Sequence, residues 1–162
     1  FGNGGGVKVP DWYGPDRYEK KPCNKNLCGF GTQKDSDYSD AEALAMGSGM
    51  VDISKQLESF VSTTVGKTVG NSTAKRAVKT NQWALQSEKL LRNLKVSKVE
   101  CVDNNGDWQC FSRVVLDRKA FDWNALVEQG LANNSELSQE DLEAIKKHKD
   151  EIKNMLKNSP YN

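Results

Sequence analysis

The segment from Val99 to Phe111 constrains this chain more than any other, because it carries its own turn, its own register and its own cross-link. Asn105-Gly106 at its centre is the strongest two-residue signal for a type I′ hairpin turn, whose two central residues both need positive φ. Placing Asn104 opposite Asp107 sets Asp103 against Trp108, Val102 against Gln109 and Cys101 against Cys110. That last pair is non-hydrogen-bonded, where opposed Cβ atoms come closest, so a cross-strand disulfide fits without a shift of register. In the chain-entropy account, closing this loop contributes about 2.5 kcal/mol. Carried outward, the same register pairs Glu100 with Phe111, Val99 with Ser112, Lys98 with Arg113, Ser97 with Val114 and Val96 with Val115. It leaves Lys98 and Arg113 on a wet face.

The other cysteines, Cys23 and Cys28, bracket a polar loop after Pro22 and read as a second, small disulfide ring just before Gly29. Four cysteines in two close pairs are the usage of exported domains. The expected location is extracytoplasmic: periplasm, outer-membrane surface or extracellular. A four-cysteine zinc site would want tighter spacing than 101/110 provides, so no metal is expected. The sequence opens at Phe1 with no signal peptide, as a processed chain would.

Composition narrows the function classes. Lys plus Arg (23) nearly balances Asp plus Glu (22), so no strong field draws nucleic acid, and no nucleic-acid partner is expected. No apolar run approaches the roughly 18 to 20 residues of a membrane-spanning helix, and no transmembrane segment is expected. The single histidine, His148, sits among lysines, which is poor material for a Ser/His or Cys/His site. Gly66-Lys67-Thr68 resembles the end of a phosphate loop, yet Val61 stands where the earlier glycine belongs and the preceding sequence is helical. A calcium loop starting at Asp35 would need glycine at Asp40 and glutamate at Met46. The expectation is a protein that is not an enzyme, with no catalytic residue and no cofactor.

Along the chain, Phe1 to Val9 is a glycine-rich tail, and Pro10-Asp11-Trp12-Tyr13 is an extended, proline-bounded segment whose two aromatics need a surface. Cys28 to Gln33 reads as a short strand with glycines that permit close backbone approach. Asp35 to Asp40 caps a helix. In that helix Ala43, Met46, Met50, Ile53, Leu57 and Phe60 form one apolar stripe, taken as the core face, and Ala41, Ala45 and Gly49 form a small-residue row beside it. Val65 to Thr73 reads as a loop, and a second helix runs from Ala74 to Asn93. Asp122 to Gln129 reads as a short helix stopped by Gly130, and Ser138 caps a last helix carrying Leu142, Ile145, Ile152 and Leu156. The predicted fold is α+β: a small antiparallel sheet, made of a short N-terminal strand and the disulfide-locked hairpin, packed on a long amphipathic helix, with further C-terminal helices. The predicted division is a tail over 1–9, an α+β domain over 10–134 and a C-terminal amphipathic helix over 135–162.

This order of pieces, with Pro10-Asp11-Trp12 at the start, Gly29-Phe30-Gly31 in the strand, then an alanine-rich helix, a second helix and a hairpin, resembles the Lpp-twenty lipoprotein family. The resemblance covers about Pro10 to Leu116, roughly two-thirds of the chain. It implies a small sheet carrying a long helix, an address in the bacterial envelope and no catalysis; some relatives, a flagellar outer-membrane disc protein among them, assemble into rings or discs. The paired cysteines are not a family hallmark, and the family's lipid-bearing cysteine has no counterpart at Phe1. The expected function is therefore an exported structural protein acting by self-assembly as a homo-oligomer or polymer, or by scaffolding among envelope or surface partners, with Phe1, Val7, Val9, Trp12 and Tyr13 as contact residues. The alternative is a monomeric surface adhesin or ligand-binding module.

Overall fold

The computed structural model describes residues 7–14, 23, 25–80 and 92–159. Strand β1 (Leu27–Asp35) is followed by helix α1 (Tyr38–Thr68), helix α2 (Asn71–Thr80), strand β2 (Leu94–Asn104), strand β3 (Asp107–Leu116), a short helix α3 (Trp123–Ala125) and helix α4 (Gln139–Asn158). The strands form an antiparallel sheet in the order β1-β3-β2, so the predicted α+β class holds. The chain divides into two compact units: one takes the chain up to Lys55 with Leu94–Leu116, the other takes Gln56–Asn93 with everything from Asp117 onward. The units interleave along the sequence because α1 contributes to both.

The hairpin obeys its turn chemistry. Asn105 and Gly106 adopt φ of 54° and 95°, and the pairing from Asn104↔Asp107 to Lys98↔Arg113 matches the register derived from the turn. Cys101 and Cys110 are joined by a disulfide. Beyond Lys98 the derived register fails: Val96 pairs with Val114, not Val115, because Ser97 is an extra residue in a bulge. Ser97 instead turns its hydroxyl to accept from Arg113 Nε at 2.7 Å.

Asp37 caps α1, its carboxylate accepting from the Asp40 backbone N–H at 2.9 Å. The buried face of α1 matches the stripe expected from hydrophobicity only from Ile53 onward, through Leu57 and Phe60. Before Ile53, Ala43 is exposed and Met46 and Met50 are half-buried, whereas Ala41, Ala45 and Gly49 are buried. The cause is the strand beneath. A Cβ on Gly29 would collide with Gly49 O and the Ile53 side chain, and one on Gly31 with Ala45 O and Gly49 N. A Cβ on Gly49 would meet Val114 Cγ2 at 2.7 Å and Ser112 Oγ at 2.8 Å. Backbone rests on backbone here, so only small residues fit at the crossing. Ser112, fully buried, donates through Oγ to Ala45 O at 2.6 Å, tying β3 to the same turn of α1.

In the second unit α1 continues through Gly66-Lys67-Thr68, so the expected loop shrinks to Val69-Gly70, with Gly70 at φ 126°. The threonines are tolerated because Thr64 and Thr68 donate to the carbonyls of Phe60 and Thr64, each at 2.9 Å. Helix α2 begins at Asn71; the expected residues 81–91 of that helix, Trp83 and Leu90 included, lie outside the described residues. The segment after α3 is a π turn, Leu126–Leu131, in which Gly130 is buried and interior rather than a stop. Its wide turn is closed by Ala132 N–H donating to Val127 O at 2.7 Å. Helix α4 is an integral part of this unit: Ile145, Ile152 and Leu156 are fully buried. Arg118 sits at its C-terminus, where Nη2 donates to Leu156 O at 2.9 Å and Ser159 O at 2.6 Å, while the guanidinium lies 4.6 Å from the Phe60 ring centroid. A cation is favoured at that helix end.

Gly31→Ala is expected to destabilise the protein by about 3 kcal/mol, since the helix backbone has no room to give. Replacing Cys101 and Cys110 together by alanine is expected to cost about 2.5 kcal/mol. Urea denaturation of each variant against the parent measures both, and a Gly31→Ala protein as stable as the parent would contradict the close crossing of β1 and α1.

Candidate interaction surfaces

The face of the sheet turned away from α1 carries Cys28, Phe30, Phe111 and Arg113, placed there by the two-residue alternation of β1 and β3. Residues 7–14 lie over it. Pro10 and Trp12 are buried, and a tight turn closes with Tyr13 N–H donating to Pro10 O at 3.1 Å. Tyr13 packs edge-on against Trp12, Phe30 and Phe111, with ring centroids 6.1, 5.6 and 5.0 Å away. Burial, and then the negative charge of Asp52, push the Tyr13 hydroxyl above its ordinary pKa.

Arg113 is the residue that sequence reasoning missed on this face. Expected to be wet, it is 3% exposed, with its guanidinium 5.9 Å from the Trp12 ring centroid. Its Nη1 is buried without a hydrogen-bond partner among the described residues. The signal lay in the alternation: Arg113 falls on the same face as Phe111, and the aromatics at 12 and 13 had to cover something.

Of the residues expected to make contacts between copies, the structure thus brings Trp12 and Tyr13 together on their own sheet. Val7 is half-buried, Val9 is exposed, and Phe1 lies outside the described residues. Cys23 and Cys28 are bonded, fastening the segment before β1 to its second residue. On the opposite face the Cys101–Cys110 bond packs with Ala41, Ala45 and Trp108, and Tyr38 meets Trp108 edge-on at 5.1 Å. Among the described residues the most exposed of the large aliphatic side chains, Leu44 and Val51, are on α1, and Val9 and Val96 are exposed to a lesser degree.

Beside the outer edge of β1 runs a groove of about 630 Å³, lined by Phe30, Gln33, Leu44, Ser48, Val51 and Asp52 among others. Asp52 Oδ2 accepts from the Phe30 backbone N–H at 2.8 Å, and Gln33 Nε2 donates to Ser48 Oγ at 2.8 Å, so the groove's polar rim is already internally bonded. Leu44 and Val51 are 48% and 55% exposed, an unusual cost for large aliphatic side chains on a helix. The arrangement offers apolar surface for packing. Among the described residues no group of three or more His, Cys, Asp or Glu side chains is placed to hold a metal ion. His148 Nδ1 lies 3.5 Å from Glu151 on a solvated face of α4. No helix is long and apolar enough to cross a membrane among the described residues.

In the second unit a buried charge cluster forms around Asp141. Asp141 is 7% exposed and accepts from Thr73 Oγ1 at 2.9 Å, from Arg76 Nε at 3.0 Å and from Arg76 Nη2 at 2.5 Å. The Thr73 hydrogen bond first, and then those of Arg76 and Ser138, hold its carboxyl below the usual aspartate range. This cluster links α2 to α4 as a staple. Glu128 likewise takes Lys153 and Lys149 at 3.1 and 3.3 Å, which explains the lysine that interrupts the apolar stripe of α4.

No protein-family model matches this chain, and no curated protein matches it.

Because folded Asp141 holds its proton less tightly than in the unfolded chain, its contribution to stability is complete above the ordinary aspartate range and is lost as pH falls through and below it. Asp141→Asn is therefore expected to lower stability at neutral pH and to flatten the loss of stability between about pH 5 and pH 2. Urea midpoints measured across that range check it; an unchanged acid slope would contradict the role given to Asp141.

Proposed function

We propose that this chain is a non-enzymatic, exported structural protein of a bacterial envelope or cell surface, of the Lpp-twenty kind, and that it acts by self-association or scaffolding. The observation that carries the reading is the pair of local disulfides, each bracing the sheet on which α1 is laid. Such bonds persist in oxidising compartments and suit a small sheet that must stay rigid outside the cytoplasm. The sheet-on-helix arrangement itself is what the resemblance implies, which supports the reading further. The buried charges act as staples between elements of their own unit.

In this reading the N-terminal segment reaches a neighbouring copy through Phe1, Val7 and Val9, while Trp12 and Tyr13 fasten its base to the sheet. Symmetric homo-oligomers are the commonest outcome for such contacts.

Light scattering after size separation, with electron microscopy of the same fractions, is the test. Particles of several copies are expected, with smaller particles after deletion of residues 1–9 or after reduction. A monomer of 18.0 kDa under every condition would overturn self-association and favour a monomeric surface-binding module.

A further inference from the structure

The outward face of α1 is unexplained by the packing of its own unit. Asp40, Leu44, Gly47, Val51 and Lys55 recur at helical spacing on one side of the helix, and all five are exposed. They lie to the side of the Ala41, Ala45, Gly49 and Ile53 face that rests on the sheet, four of them, Leu44, Gly47, Val51 and Lys55, along the groove that borders β1. The helix therefore has two apolar faces, of which one is covered.

Gly47 is the informative residue. Among the described glycines of this unit, Gly14 and Gly106 have positive φ, and Gly29, Gly31 and Gly49 would each collide with a neighbour if given a Cβ. Gly47 has neither reason. Its φ is not positive and a Cβ there meets nothing within 4 Å, yet it stands inside a helix, where glycine is unfavourable relative to almost any other residue. A glycine flanked by the exposed Leu44 and Val51 is what a closely approaching second helix requires.

We propose that this face is the contact for a second copy of the chain, the two α1 helices crossing antiparallel about a two-fold axis near Gly47 and Ser48. This inference rests on the self-association reading and names its surface. A two-fold at that point sets Leu44 against Val51 of the other copy and Val51 against its Leu44. It also sets Asp40 against Lys55 of the other copy, twice by symmetry. Asp40 and Lys55 are both exposed, and neither has an ion pair within its own chain among the described residues. The antiparallel arrangement further opposes the acidic N-terminal turn of one helix to the Lys55 region of the next, and a parallel one would oppose like charges. The contact is self-complementary, as a two-fold interface must be.

The test is sedimentation velocity of the disulfide-intact full chain over a range of concentrations, with circular dichroism and thermal melting of each variant as the check on folding. Gly47→Leu has open space for its side chain in the monomer and improves helix propensity, so its fold should be unchanged or more stable. It is expected to weaken association by about tenfold or more. Lys55→Asp alone is expected to weaken association several-fold, and adding Asp40→Lys to it should restore the parental value, because the ion pairs are re-formed with their signs exchanged. A parent that associates, with Gly47→Leu associating equally well, would overturn this face while leaving self-association standing. A parent that is monomeric at every concentration would overturn both.

Discussion

The contact between Gly29 and Gly31 of β1 and the backbone of α1 at Ala45 and Gly49 is the constraint on which the sheet-bearing unit depends. Three glycines at one crossing remove every side chain that could hold helix and strand apart. With the helix this close, Ser112 of the central strand reaches a helix carbonyl, and the Cys101–Cys110 bond lies against the alanines one and two turns earlier. The opposite face of the sheet is then free to carry large side chains, and it does: Phe30, Phe111 and Arg113, roofed by Trp12 and Tyr13. Small residues at the helix crossing and a cluster of aromatics on the other face are two halves of one packing solution.

That solution also explains which parts of the fold are legible in the sequence. The hairpin is readable to the residue as far as Lys98 because Asn105-Gly106 sets a register by local chemistry alone, and both cysteine pairs come from that register or from adjacency. The bulge at Ser97 is not readable, because it answers to the burial of Arg113 beneath Trp12, a contact between residues about a hundred positions apart. The helix is readable, and hydrophobicity assigns its buried face correctly at Ile53, Leu57 and Phe60 but wrongly over the first half. Ranking residues by hydrophobicity selects Met46 and Met50, whereas the sheet selects by size and takes Ala41, Ala45 and Gly49. The small-residue row is visible in the sequence as a place for close packing; that it is the core face depends on the paired glycines of β1.

The second unit obeys a different logic. Its helices are held by larger buried side chains and by charges placed at helix ends and between helices: Arg118 on the last carbonyls of α4, and Asp141 between Thr73 and Arg76. Periodicity locates α4 well, since Ile145, Ile152 and Leu156 are all buried. It misses Asp141, which is buried beside the half-buried Leu142, because a buried carboxylate is tolerated only where its partners are supplied, here by another helix. The exposed apolar side chains of α1 are hidden from sequence reasoning for a related reason. Trp12 is anchored on its own sheet, and the two most exposed large apolar residues among those described, Leu44 and Val51, are set within a helix whose other face makes the core.

Native-state hydrogen exchange, followed amide by amide in low denaturant, tests the central claim most directly. If the glycine crossing holds the unit together, the amides of β1, of β3 and of α1 from Ala41 to Ile53 should open in one cooperative event with a common free energy. Exchange of that stretch of α1 at a distinctly lower free energy than the sheet would show that the helix leaves the sheet independently, and would contradict the dependence of the unit on that crossing.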